Sequence, residues 1–160
     1  MNRFLPHVTV AAVVVDRDRF LLVEERDRMN TASTVTVFNQ PAGHLEADEP
    51  LLDAVHRETL EESGWEITLE GYLGLYINTA PNGVVYHSHT FVARPMRRVS
   101  RILDEGITRA EWYSLTDIET LEHEERLRSP LVARRIRDAL EGPTWPLGLI
   151  RDLNHPDMTP

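Results

Sequence analysis

The stretch from Gly43 to Trp65, GHLEADEPLLDAVHRETLEESGW, carries the deciding pattern. Its second part reads as a helix. Asp48 is placed to cap it, Pro50 is tolerated in its first turn, and Gly64 stops it after Ser63. At about 100° per residue, Leu51, Leu52, Val55 and Thr59 fall in an arc of roughly 100° that faces a core. Glu58, Glu61 and Glu62 occupy a second arc that overlaps the edge of the first, and Glu62 points nearly at the core side.

Such a cluster needs an explanation. Like charges three and four residues apart repel by a few tenths of a kcal/mol per exposed pair. Burial raises that cost, and the C-terminal half of a helix disfavours anions. Arg57 reaches Glu61 at i+4, which leaves two carboxylates without a local cation. Either the glutamates form a solvated acidic face or a cation sits among them. Two features favour the cation. The acidic arc borders the apolar arc instead of opposing it. The loop Pro41-Ala42-Gly43 leads into the helix, and a glycine there lets a backbone carbonyl approach a ligand. Oxygen donors alone select hard ions, so Mg²⁺, with Mn²⁺ as a substitute, is expected ahead of Zn²⁺. Such ions bridge carboxylates to phosphate oxygens, and with a nearby carboxylate base they suit phosphoanhydride cleavage.

The rest of the chain sets limits. Its 160 residues suffice for one domain, expected to span 1–160 with a loose tail from about 154. Acids outnumber bases 26 to 17, for a net charge of −9, which excludes long nucleic acids and anionic membranes as partners. Seven of those acids lie between Glu46 and Glu62, so the excess concentrates at the proposed cation site. There are no cysteines, which excludes disulfides, thiol catalysis and iron–sulfur sites. Every basic residue is arginine, which excludes Schiff-base lysines and the P-loop lysine. The apolar run Val8–Val15 imitates a signal peptide, but Asp16-Arg17-Asp18-Arg19 follows it with no small-residue cleavage site, so it reads as a buried strand. A cytoplasmic monomer is expected.

Strands are predicted at His7–Val15 and Phe20–Val23, paired as a hairpin, and at Thr34–Phe38. Further strands are predicted at Trp65–Tyr76, Val84–Ala93 and Glu111–Ser114. Pro81-Asn82-Gly83 is a turn, residues 26–33 a loop, and Arg94–Gly106 a second loop. Thr116 is placed to cap a brief helix. Ser129-Pro130 starts a clearer one, Leu131–Leu140, whose Arg134, Arg135 and Arg137 read as its solvated side. Strands mixed with helices in this order imply an α/β class with a mixed sheet flanked by helices.

The box resembles the signature of the Nudix hydrolases: Gly, five residues, Glu, seven residues, then Arg-Glu, a bulky apolar residue, any residue, Glu-Glu-X-Gly and a second bulky apolar residue. Gly43, Glu49, Arg57, Glu58, Glu61, Glu62 and Gly64 fit it. Thr59 and Trp65 depart at the two bulky apolar positions. The flanking blocks PHVTVA, NQPAGHLEADE and LRSPLV are similar to a narrower group of phosphatases in that family.

The resemblance implies an α/β/α sandwich around a mixed sheet, the Nudix fold. It implies Mg²⁺-dependent release of phosphate from hydroxymethylpyrimidine pyrophosphate, thiamine pyrophosphate or nucleoside di- and triphosphates. It also implies roles. Glu58, Glu61 and Glu62 bind metal with the Gly43 carbonyl, Arg57 orients a ligating glutamate, and Glu49 ties loop to helix. The base is a box glutamate or a later acid, for which Asp104 and Glu105 are candidates. His44, His87, His89 and Arg128 are candidate substrate contacts. A pyrophosphatase for ADP-ribose or another nucleoside diphosphate derivative, and a nucleotide sensor without catalysis, are the competing readings. Because the box is intact, an enzyme is expected.

Overall fold

The computed structural model describes residues 3–27 and 35–156. The β-branched run of the N-terminal segment forms β1 (His7–Asp16), which turns through Arg17-Asp18 into β2 (Arg19–Arg26). The expected hairpin is present, with Val15 opposite Phe20. β3 (Thr36–Asn39) follows. Thr34 and most of the loop expected at 26–33 lie outside the described residues. Residues Gln40 and Pro41 then lead into a short strand that sequence reading missed, β4 (Ala42–His44), antiparallel to β1. The acid-rich helix is α1 (Leu51–Ser63), ended by Gly64 in the left-handed region at φ 74°.

Two long strands come next, β5 (Trp65–Thr79) and β6 (Val85–Arg98). The loop expected from Arg94 therefore begins five residues late. Cross-strand ion pairs, Arg94 with Glu70 and Arg97 with Glu66, extend the ladder through residues that composition alone marks as loop. The Pro81-Asn82-Gly83 turn stands as expected, with Gly83 at φ 83°. β7 (Ile107–Ser114) pairs with β2. α2 (Leu115–His123) is capped by Ser114 and not by Thr116. The Ser114 hydroxyl accepts from Asp117 N, and the Asp117 carboxylate answers back to Ser114 N. Asp48 likewise does not cap α1; it sits at φ 57°, and Pro50 holds the cap position without a side-chain bond. α3 (Leu131–Glu141) begins at Ser129-Pro130, and a 3₁₀ turn (Leu147–Leu149) follows it.

The strands form a mixed sheet in the order β3-β2-β1-β6-β5, with β4 against β1 and β7 against β2; β1 and β6 run parallel. Side chains alternate across it and build two cores. One joins Val10, Ala12, Leu21, Val23 and Phe91 to Ala54 and Val55 of α1. The other joins Val13, Phe20, Leu22, Phe38 and Val92 to Ile118 of α2 and Val132 and Ile136 of α3. A helix layer thus covers each face, as the α/β/α expectation requires.

One expectation fails on α3. Arg134 and Arg137 face solvent, but Arg135 is only 5% exposed. At helical spacing it borders the arc of Val132, Ile136 and Ala139, so packing against the sheet draws it in.

Candidate active site

Arg57 organises the box. Its Nε donates to Glu49 Oε1 at 2.6 Å, and its Nη1 reaches Glu58 at 2.8 Å and Glu61 at 3.0 Å. Its Nη2 donates to Glu49 Oε2 and to the His44 carbonyl, both at 3.1 Å. One guanidinium therefore ties the helix to the loop that precedes it. The pairing holds the Glu49 carboxyl below its usual range, with Arg57 hydrogen bonding as the main cause.

Glu58 and Glu62 are different. Thr59, buried on the same turn, satisfies its hydroxyl on the Val55 carbonyl and leaves the core face intact. Glu58 is buried against Gly43, where a Cβ would collide with its carboxylate. Burial pushes the Glu58 carboxyl up, Arg57 opposes this, and the charges of Glu61 and Asp104 add to it. Glu62 accepts one hydrogen bond, from Ala42 N at 2.9 Å, and forms no ion pair among the described residues. Burial first, then Glu25, Glu58 and Asp104, push it up to about 8. Glu61 is more exposed and meets Arg57 from the outer side.

Two further acids act on this group. Asp104, expected as a later-loop candidate, is brought in by its backbone N–H to the Glu61 carbonyl at 3.0 Å. Glu105 is exposed and is not among the charges acting on Glu58 or Glu62. Sequence reading missed Glu25. It follows a register shift whose extra residue, Thr108, lies on β7, and alternation along β2 places it on the α1 face with Leu21 and Val23. The one available signal was that alternation, an acid continuing an otherwise apolar row.

The four candidate substrate contacts separate. Arg128 lies near the acids, 3.8 Å from Glu25 and 4.0 Å from Asp27, too far for hydrogen bonds. His44 sits opposite Thr9 on the α3 face, where its Nε2 meets His7 Nδ1 at 3.1 Å and both rings approach Tyr86. His87 and His89 share the face of Phe91, as alternation predicts, but His89 is bonded to the Tyr72 hydroxyl at 2.9 Å. Neither forms a hydrogen bond or ion pair with a box glutamate among the described residues.

The sandwich and the arginine-centred acid box define a Nudix hydrolase, and the chain belongs to the NUDIX family, whose domain pattern matches residues 5–134. It is 37% identical over 155 residues to phosphatase NudJ of Escherichia coli strain K12, covering 96% of this chain and 95% of that protein. A NUDIX hydrolase structure from Nitrosomonas europaea superposes with TM-score 0.86 at 39% identity, covering 94% of this chain and 99% of that one. An ADP-ribose pyrophosphatase from Streptococcus suis shares the fold at TM-score 0.64 and 17% identity, covering 88% of this chain and 96% of that one. No helix among the described residues is long and apolar enough to cross a membrane.

Proposed function

We propose that this Nudix hydrolase is a divalent-cation-dependent phosphatase that releases orthophosphate from small organic pyrophosphates or nucleoside di- and triphosphates. Hydroxymethylpyrimidine and thiamine pyrophosphates are the first candidates. The observation that carries the reading is Glu62, a half-buried carboxylate with one N–H partner and three acids pushing on it. Together with Glu58 and Glu61 it makes a hard-oxygen donor set suited to Mg²⁺ or Mn²⁺. Among the described residues no three such groups already converge as a cation site, because Arg57 holds Glu58 and Glu61 and Ala42 holds Glu62. The donors fit the ion by chemistry, and Glu61, on the exposed side, is the one free to turn.

When bound, the ion supplies charge neutralisation at the phosphate oxygens and acidifies the attacking water. The chain's own groups do the rest. Glu58, Glu61 and Glu62 would hold the ion, with the Gly43 backbone lining its approach, and Arg57 keeps Glu58 and Glu61 aligned. Asp104 or a box glutamate accepts the proton of the attacking water. Arg128, in long ion pairs with Glu25 and Asp27, is the candidate to turn towards a phosphate; the His44 carbonyl accepts from Arg57 at the edge of the box.

A panel of diphosphates, triphosphates and dinucleotides with Mg²⁺ tests this, assayed for phosphate with and without added pyrophosphatase. Direct phosphate release from the small pyrophosphates is expected, and EDTA should abolish it reversibly. Signal seen only with added pyrophosphatase would mean pyrophosphate release and would overturn the phosphatase reading. Binding without product would make the chain a sensor.

A further inference from the structure

Arg135 is a cation without a counter-ion. It is 5% exposed, and no carboxylate lies within ion-pair distance among the described residues. Its Nη2 donates to Ser88 Oγ at 2.7 Å, its Nη1 approaches Gln40 Oε1 at 3.5 Å, and its face lies 5.3 Å from the Tyr76 ring. Its Nε has no hydrogen-bond partner there. A charge so placed is a poor way to stabilise a helix, since an apolar side chain of similar length would pack beside Val132 and Ile136 without desolvating an ion.

Its polar partner leads to the box. Gln40 is 1% exposed and is gripped at both ends of its amide, because its Nε2 also donates to the Val132 carbonyl of α3 at 2.7 Å. Two residues on, Ala42 N holds Glu62, and three residues on, Gly43 abuts Glu58. The path from α3 through Gln40 to both glutamates is contiguous, and it crosses from one face of the sheet to the other.

We propose that Arg135 and Gln40 are positioning residues that hold Ala42 and Gly43, from α3, in the geometry Glu62 and Glu58 need. This rests on the reading of those glutamates as working groups. It makes α3, which carries no box residue, part of the catalytic apparatus.

The test compares R135M, Q40M, the double variant and R135K as full chains. It follows phosphate release, Mn²⁺ binding by calorimetry in the absence of substrate, and hydrogen exchange at the Ala42 amide. R135M and Q40M are each expected to lower kcat by about tenfold or more, with KM within about threefold. Both should weaken Mn²⁺ binding and speed exchange at Ala42, and R135K should recover part of each loss. The double variant should lose no more than the worse single one, as expected for residues acting in series. Should R135M not fold, Q40M carries the test, because it removes a neutral group. Additive losses, or a folded R135M with unchanged kcat and unchanged Ala42 exchange, would overturn the brace. The two readings fail differently: normal turnover in E62Q removes the catalytic one, whereas an inactive E62Q beside a fully active R135M removes only the brace.

Discussion

Glu62 on α1, half-buried, and Arg135 on α3, buried, are both ionisable groups that have lost much of their water, and among the described residues neither has a counter-charge. They lie on opposite sides of one sheet. Burial pushes Glu62 up to about 8 and Arg135 down to about 10. The consequences differ. At neutral pH the glutamate is held near its neutral form and would be ionised by an arriving cation. The arginine stays charged throughout, and its energy goes into fixed hydrogen bonds. One end of the β3–β4 connection thus meets a group that titrates near neutral pH, and the other a group that does not.

The largest expected effect lies at the acid end. E62Q or E61Q should lower kcat at least about a hundredfold, the scale of losing a metal ligand or base. Near-normal turnover in both would end the hydrolytic assignment of the box. G43A comes next. Gly43 is outside the left-handed region, so the backbone tolerates alanine, but the added methyl displaces the Glu58 carboxylate. A loss of about ten- to a hundredfold in kcat with an unchanged melting temperature is expected; an unchanged rate would show that Glu58 need not lie against that loop.

A third measurement separates the two ions by pH. The folded-state pKa of Glu62, about 8, exceeds its ordinary value of 4.5. Its contribution to stability is therefore fully present below pH 4.5 and is lost as pH rises through about 8. Glu58 is shifted in the same direction. Metal-free protein should melt at progressively lower temperature across that window, Mg²⁺ should reverse the loss, and E62Q should flatten the slope. Arg135 does not titrate in that window, so R135M should change the slope only as far as it releases Glu62 from the Ala42 N–H. A slope that survives E62Q would remove Glu62 as its cause. The smallest effect is expected at Arg137, whose pair with Glu122 is exposed. R137A should shift urea stability by no more than about 0.5 kcal/mol, and a larger shift would mean that not only Arg135 on that helix matters.

Much of the box was legible before folding. Arg57 does reach Glu61 at i+4, and Gly64 does end the helix. Glu62 does turn inward, because its direction follows from helical repeat alone. The strand ends were less legible. Arg94–Arg98 continue the strand across register shifts, with Arg97 paired to Glu66 and Arg94 to Glu70, a fact of pairing between distant segments. Arg135 was misread because a residue at the border of an apolar arc can go either way until the packed surface is known.

The spacing of Gly43, Glu49, Arg57, Glu58, Glu61 and Glu62 thus determined the family and the acid box, since short-range helix geometry converts spacing directly into direction. Tertiary structure alone decided which acids and bases share their field. Glu25 and Asp104 come from separate elements and reach the box only through folding, while Gln40 and Arg135 lie on the other face of the sheet. Folding also tied Glu49, Glu58 and Glu61 to Arg57 and left Glu62 on a single backbone N–H, its carboxyl pushed up by burial. The strength of a charge depends on the water it has lost, and that is settled only when the chain is packed.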